Sequence, residues 1–155
     1  MGLRASLWKD DLSQLELKPP LAVSSQTPLR TTIDAMQRAG VGHILICDDG
    51  RLRGIFTERD LVKRVFPASI SLDEAVGGYM TADPTTIRRS DSVGWAIRTM
   101  HKGHYRHLPV VDESGRPIGI LSVKHIVRYL VEHFPSAVYN LPPEPGRVDG
   151  TREGA

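Results

Sequence analysis

The sequence predicts an α/β protein made of two β-α-β-β-α repeats packed sheet to sheet with pseudo-two-fold symmetry. Three observations carry that prediction. Gly54-Ile55-Phe56-Thr57-Glu58-Arg59-Asp60 is an apolar strand that stops at a hydroxyl and runs into a helix with Leu61, Val62, Val65 and Phe66 on one face. The pattern returns 65 residues later as Gly119-Ile120-Leu121-Ser122-Val123-Lys124-His125, followed by Ile126, Val127, Leu130 and Val131. A shift of 64 residues sets Pro20 on Pro84, Ile33 on Ile97, Met36 on Met100, His43 on His107 and Asp48 on Asp112, and one extra hairpin residue then makes the offset 65. A unit of about 55 residues buries too little surface to stand alone, so the two copies are expected to share one core.

Residues 1–16 read as a short helix or arm, with Ser6 available to cap it and Leu7, Trp8, Leu12 and Leu15 available to pack. Pro19-Pro20 breaks any helix. The first repeat, residues 17–67, opens with Leu21-Ala22-Val23 as a short buried strand. Thr27-Pro28 marks a helix start, the hydroxyl as N-cap and the proline at the first helical position. That helix ends at Gly40 and Gly42. His43 to Cys47 does not alternate and is expected to be buried on both faces. Asp48-Asp49-Gly50 turns the chain in a hairpin, Arg53 to Phe56 returns, and a helix from about Glu58 to Phe66 closes the unit. In the linker, residues 68–79, Ser71 to Glu74 form a possible capping box for a brief helix stopped by Gly77-Gly78. The second repeat spans residues 80–134. The Pro- and Gly-rich tail, 135–155, is expected to be largely disordered, with Val138, Tyr139 and Leu141 docking at most.

Lys plus Arg exceeds Asp plus Glu by 20 − 18 = 2, and no basic block is longer than two residues. The charge therefore does not suggest a nucleic-acid binder. The single cysteine, Cys47, excludes an internal disulfide and a multi-cysteine metal site. No stretch approaches the roughly 18 apolar residues of a membrane span, and the amino terminus has no signal-peptide core. A cytoplasmic location follows as an expectation.

Two kinds of chemistry compete at the strand-to-helix junction. Thr57 and Asp60 suit first a capping box, and they suit also a hydroxyl and carboxylate presented to a ligand. His101, His104 and His107 invite a metal reading, but the helix-to-strand change between them should splay the rings, and no acid stands suitably near. Ser122, His125 and Asp112 supply triad residue types without a nucleophile elbow. There is no phosphate-loop or dinucleotide fingerprint, so neither an enzyme nor a bound metal is expected.

Met80-Thr81-Ala82-Asp83-Pro84, Arg106-His107-Leu108-Pro109-Val110-Val111-Asp112 and the twice-used Gly54–Asp60 pattern make residues 17–134 resemble a tandem pair of CBS (cystathionine-β-synthase) domains, of the stand-alone type. The resemblance implies a regulatory module that binds AMP, ADP, ATP or S-adenosylmethionine and signals by conformational change to a partner protein. It implies a homodimer in which two pairs form a disc. No further cofactor is required. It places the main groove at Ile55, Thr57, Arg59, Asp60, Thr85, Thr86, Arg106, His107 and Pro109. There Asp60 would hold the ribose hydroxyls, Thr57 and Arg59 would face ribose and phosphate, Thr85 and Thr86 would flank the adenine, and Arg106 and His107 would meet phosphate. In a second groove, with Ala22, His43, Ser122 and His125, a histidine replaces the aspartate. That groove is expected to be weak, empty, or selective for something else. The alternative is a dimeric interaction module that works without nucleotide.

Overall fold

The computed structural model describes residues 2–134. The expectations for the tail, including docking by Val138, Tyr139 and Leu141, lie outside the described residues. After a first helix, α1 (Leu3–Lys9), the chain forms β1 (Ala22–Val23), α2 (Leu29–Ala39), β2 (His43–Asp48), β3 (Arg51–Thr57) and α3 (Glu58–Asp60). It continues through β4 (Thr81–Ala82), β5 (Ile87–Arg88), α4 (Val93–Gly103), β6 (His107–Val111), β7 (Pro117–Ser122) and α5 (Val123–His133). One sheet has the order β1-β2-β3-β4 and the other β5-β6-β7. In each, a short parallel leading strand flanks an antiparallel hairpin.

The turns follow local chemistry. Asp49 and Gly50 both have positive φ, 52° and 77°, which is the backbone of a two-residue hairpin turn whose twist matches the strands. Gly40 ends α2 in the left-handed conformation, and His104 does the same for α4.

The two repeats exchange their leading segments. β4 pairs with β3 of the first sheet before the chain crosses to β5 in the second. Gly54 makes this possible, because a Cβ there would meet Met80 Sδ at 2.5 Å and the Thr81 carbonyl at 2.8 Å. By the 64-residue shift the counterpart of Thr81 is Leu17, and a Cβ on Gly119 would meet Leu17 Cβ at 3.0 Å. Residues 17–21 thus cross from the second sheet to the first. This crossing forms one wall of the site described below.

Several local expectations change. Ser6 lies inside α1, which begins after Gly2 without a side-chain cap. Trp8 of that helix packs on Gly94 of α4, and this contact sets its position. Pro28, not Thr27, is the N-cap of α2. The reason is that Leu29 N–H and Arg30 N–H donate to the Glu74 and Leu72 carbonyls, so the linker satisfies the first turn. Those carbonyls being committed, the linker makes a turn at Ser71 and a single 3-10 turn, Val76–Gly78, in place of the expected capped helix. The helix after Asp60 widens to a π turn over Leu61–Val65, where Phe66 N–H donates to the Leu61 carbonyl. Ala22 is exposed, so the first strand is less buried than its composition suggests.

Burial separates into two main cores. Leu29, Met36, Ile44, Ile46, Phe56, Val65 and Val76 form one between the first sheet and its helices. Leu12, Ile87, Val93, Leu108, Leu121 and Tyr129 belong to the other, with the amino-terminal arm packed on it. The sheets meet through a smaller cluster, Leu45, Ile55 and Ile120. The single shared core expected from unit size is therefore replaced by two cores and a sheet-to-sheet joint. Ile44, Leu45 and Ile46 are all 0% exposed because β2 feeds both its own core and the joint. Among the described residues no helix is long and apolar enough to cross a membrane.

Candidate functional site

The joint between the sheets carries two polar features, related by the repeat. The first is Asp60, which is 5% exposed. Thr57 caps α3 by accepting from Asp60 N–H at 3.3 Å. In return the Asp60 carboxylate accepts from Thr57 N–H at 3.0 Å and from the Thr57 hydroxyl at 3.1 Å. Its other oxygen accepts from the Thr81 hydroxyl at 3.1 Å and lies 3.6 Å from the Arg64 guanidinium. Arg64 also donates to the Met80 carbonyl at 2.8 Å. The carboxylate thus ties the start of α3 to the crossing segment of the second repeat, and both its oxygens are engaged by protein.

Other residues expected for the Asp60 groove differ in burial and partners. Ile55 is in the sheet-to-sheet cluster and Pro109 is buried opposite Ile120. Arg59 and Thr86 are exposed, and the Thr85 hydroxyl lies 2.9 Å from the Tyr105 hydroxyl. Glu58 packs its carboxylate on Gly42. Arg106 and His107 line a different space.

That space is a cavity of about 780 Å³ at the second junction. Its walls come from the crossing segment Lys18–Leu21, the end of α2, the start of β6, and the turn from β7 into α5. Of the residues expected there, His43, Ser122 and His125 line it, while the place expected for Ala22 is taken by its neighbour Leu21. Pro19, Pro20, Leu21, Val41 and Ile120 give apolar surface. Lys18, Arg106, Lys124 and Arg128 give four cations, and among the described residues no Asp or Glu lines the cavity. Lys18, Lys124 and Arg128 were not singled out in the sequence. They are separated in the chain, and only the crossing segment and the first turns of α5 bring them together.

His125 stands three residues after Ser122, as Asp60 does after Thr57. Its Nδ1 accepts from Ser122 N–H at 2.9 Å and lies 3.0 Å from the Ser122 hydroxyl. Accepting there leaves the ring proton on Nε2, so His125 offers the cavity a donor where Asp60 carries only acceptors. His43 and His107, related by the repeat, lie with ring centroids 4.1 Å apart. Burial pushes His43 down from the ordinary imidazole value. Burial first, and then repulsion from His43, Arg106, His125 and Lys124, pushes His107 down to about 4. Burial, Arg128 and Lys18 lower His125. All three rings are thus held toward the neutral form.

A pH effect on stability follows. The unfolded chain protonates His107 near 6.5 and the folded chain only near about 4, so between these values the unfolded state binds more protons. Stability from this residue is complete above about pH 6.5 and falls as the pH drops toward 4. The residue is only partly buried, so solvent screening reduces the effect to about 1–2 kcal/mol between neutral pH and 4.5. Urea unfolding at several pH values should show the loss, and His107→Gln should flatten it. An equally steep loss in the variant would contradict this origin.

His101, His104 and His107 do not converge, and among the described residues no three His, Cys, Asp or Glu side chains gather as a metal set.

Comparison with known proteins places this architecture. The CBS domain family model matches residues 12–67 and again 76–132. The "Meiotically up-regulated gene 70 protein" of Schizosaccharomyces pombe is 36% identical over 108 residues, 69% of this chain, and the match spans only 15% of that protein's length. Among solved structures, the CBS domain protein PAE2072 from Pyrobaculum aerophilum, complexed with AMP, superposes with a TM-score of 0.69. It is 23% identical, and the match covers 79% of this chain and 98% of that one. The CBS domain pair of protein MJ0100, in complex with 5′-methylthioadenosine and S-adenosyl-L-methionine, gives a TM-score of 0.69 at 24% identity, covering 77% of this chain and 98% of that one. With both repeats matched, the chain belongs to the CBS domain family.

Proposed function

We propose that this chain is a regulatory module that binds an adenine nucleotide in the cavity between the crossing segment 18–21 and the Ser122–His125 turn. The observation that carries the reading is the pairing of apolar walls with four cations, and no acid among the described residues, in one cavity. Pro19, Leu21 and Ile120 suit a base, the Ser122–His125 turn suits the sugar, and Arg106 and Lys124 suit phosphate. AMP, 5′-methylthioadenosine and S-adenosylmethionine are bound by structural neighbours, and this supports the adenine. The charge of the cavity favours AMP, ADP and ATP over the cationic sulfonium of S-adenosylmethionine. The Asp60 junction is proposed chiefly as a structural tie, with a second, weaker groove beside it.

A route for signalling is contained in α5. Val123, Lys124 and Arg128 line the cavity and also border a shallow outer depression with Val127 and Val131. Val123 and Val127 are 48% and 51% exposed, and their counterparts in the first repeat include Val62, at 60%. Such apolar helix faces, exposed among the described residues, support a homodimer. A ligand drawn to Lys124 and Arg128 would bias how α5 presents this face, provided it prefers one arrangement over the other. The same faces support the second reading, a dimeric interaction module that needs no nucleotide.

Calorimetric titration with AMP, ADP, ATP and S-adenosylmethionine, with sedimentation before and after ligand, tests both. The nucleotide reading expects micromolar binding in the order ATP over AMP over S-adenosylmethionine, and tighter binding at pH 6 than at pH 8. Phosphate beside His107 and His125 raises their lowered pKa values, so binding takes up protons. No heat from any of the four, with a dimer still present, would favour the second reading.

A further inference from the structure

At the His125 end of the cavity the residues beside the sugar are the reverse of those at Asp60. We propose that this end of the cavity holds an anionic group on the sugar, so that the preferred ligand is a nucleotide with phosphoryl groups at both its 5′ position and its 2′ or 3′ position. This inference rests on the site proposed above.

A free ribose edge presents hydroxyls that a carboxylate can accept from. Here the carboxylate position is held by His125, whose Nδ1 is spent on Ser122 N–H and whose remaining nitrogen is a donor. Among the described residues that second nitrogen has no hydrogen bond to protein. Lys18 and Arg128 are close enough to His125 to repel its protonated form. Three donors, two of them cationic, therefore line the end where hydroxyls would need an acceptor, and among the described residues no lining acid balances them. A phosphoryl group satisfies all three at once. Arg106, His107 and Lys124 form a second group, disposed around His107. His125 neighbours both groups, so the cations form one strip across the cavity, with Lys18 and Arg128 toward one end and Arg106 toward the other; phosphates at two positions engage both ends, where a longer chain at one position engages one.

The test is calorimetry on the full chain at fixed ionic strength with adenosine 3′,5′-bisphosphate, adenosine 2′,5′-bisphosphate, 5′-AMP and 5′-ADP. The last is an isomer of the bisphosphates and controls for phosphate number. At least one bisphosphate should bind roughly tenfold or more tighter than 5′-ADP. His125→Asp should reverse that order, since the carboxylate accepts from free hydroxyls and repels phosphate. This variant recreates the acid already capping the first repeat, so the fold should hold, as circular dichroism would verify. Arg128→Gln should weaken the bisphosphate by a larger factor than it weakens 5′-AMP. Binding of 5′-AMP without preference for either bisphosphate, or a preference unmoved by His125→Asp, would overturn this inference alone. Absence of binding by all four would overturn it together with the nucleotide reading.

Discussion

Asp60→Ala is expected to lower the unfolding free energy by about 3 kcal/mol while leaving AMP affinity within about threefold of the wild type. The stability effect has two sources. The substitution leaves Thr57 N–H without its acceptor at the start of α3, a cap worth about 1 kcal/mol. It also releases Thr81 and Arg64, which hold the crossing segment to the first repeat. Because Arg64 is half-exposed and can find water, its part is placed at the low end, about 1 kcal/mol, with the lost Thr81 bond adding a similar amount. Asp60→Asn keeps the size and one acceptor, and should recover part of the loss. Denaturant unfolding gives the first quantity and calorimetry the second. A stable Asp60→Ala protein that no longer binds AMP would move the proposed site to the Asp60 junction.

Arg106→Glu combined with Lys124→Glu should have the opposite profile, weakening ATP about a hundredfold with little change in stability. Both side chains are exposed and neither has a salt-bridge partner among the described residues, so the fold does not depend on them. Each charge-assisted bond to phosphate is worth about 1.5 kcal/mol or more, and two of these correspond to about two powers of ten. Wild-type affinity should itself fall as salt rises, since exposed charges are screened. Competition titration against ATP at two salt concentrations checks both statements. Unchanged affinity in the double variant would remove Arg106 and Lys124 from the phosphate site.

The difference between these two variants is the part of the molecule that the sequence did not disclose. The repeat was legible because it recurs at one offset, and the hairpin at Asp49-Gly50 and the end of α2 at Gly40 follow from local backbone chemistry. The exchange of hydroxyl-acid for hydroxyl-histidine was legible too, since Thr57–Asp60 and Ser122–His125 are each three residues apart. The surroundings of each junction were not. What Asp60 meets depends on Thr81 and Arg64, contacts 21 and 4 residues away in the chain. The cavity beside His125 depends on residues 18–21 leaving the second sheet for the first. The cations illustrate the same limit. No basic block stands out, yet Lys18, Arg106, Lys124 and Arg128 meet at one cavity through long-range packing. The linker shows it on a smaller scale, because Ser71 to Glu74 has the composition of a helix cap and spends its carbonyls on α2 instead.

The central claim, that an adenine nucleotide occupies the cavity beside His125, is tested most directly by a crystal structure of the protein grown with saturating AMP. The account predicts density for the base against Pro19, Leu21 and Ile120, with the phosphate within hydrogen-bonding reach of Arg106 or Lys124. Density beside Asp60 with the His125 cavity holding only water would contradict it.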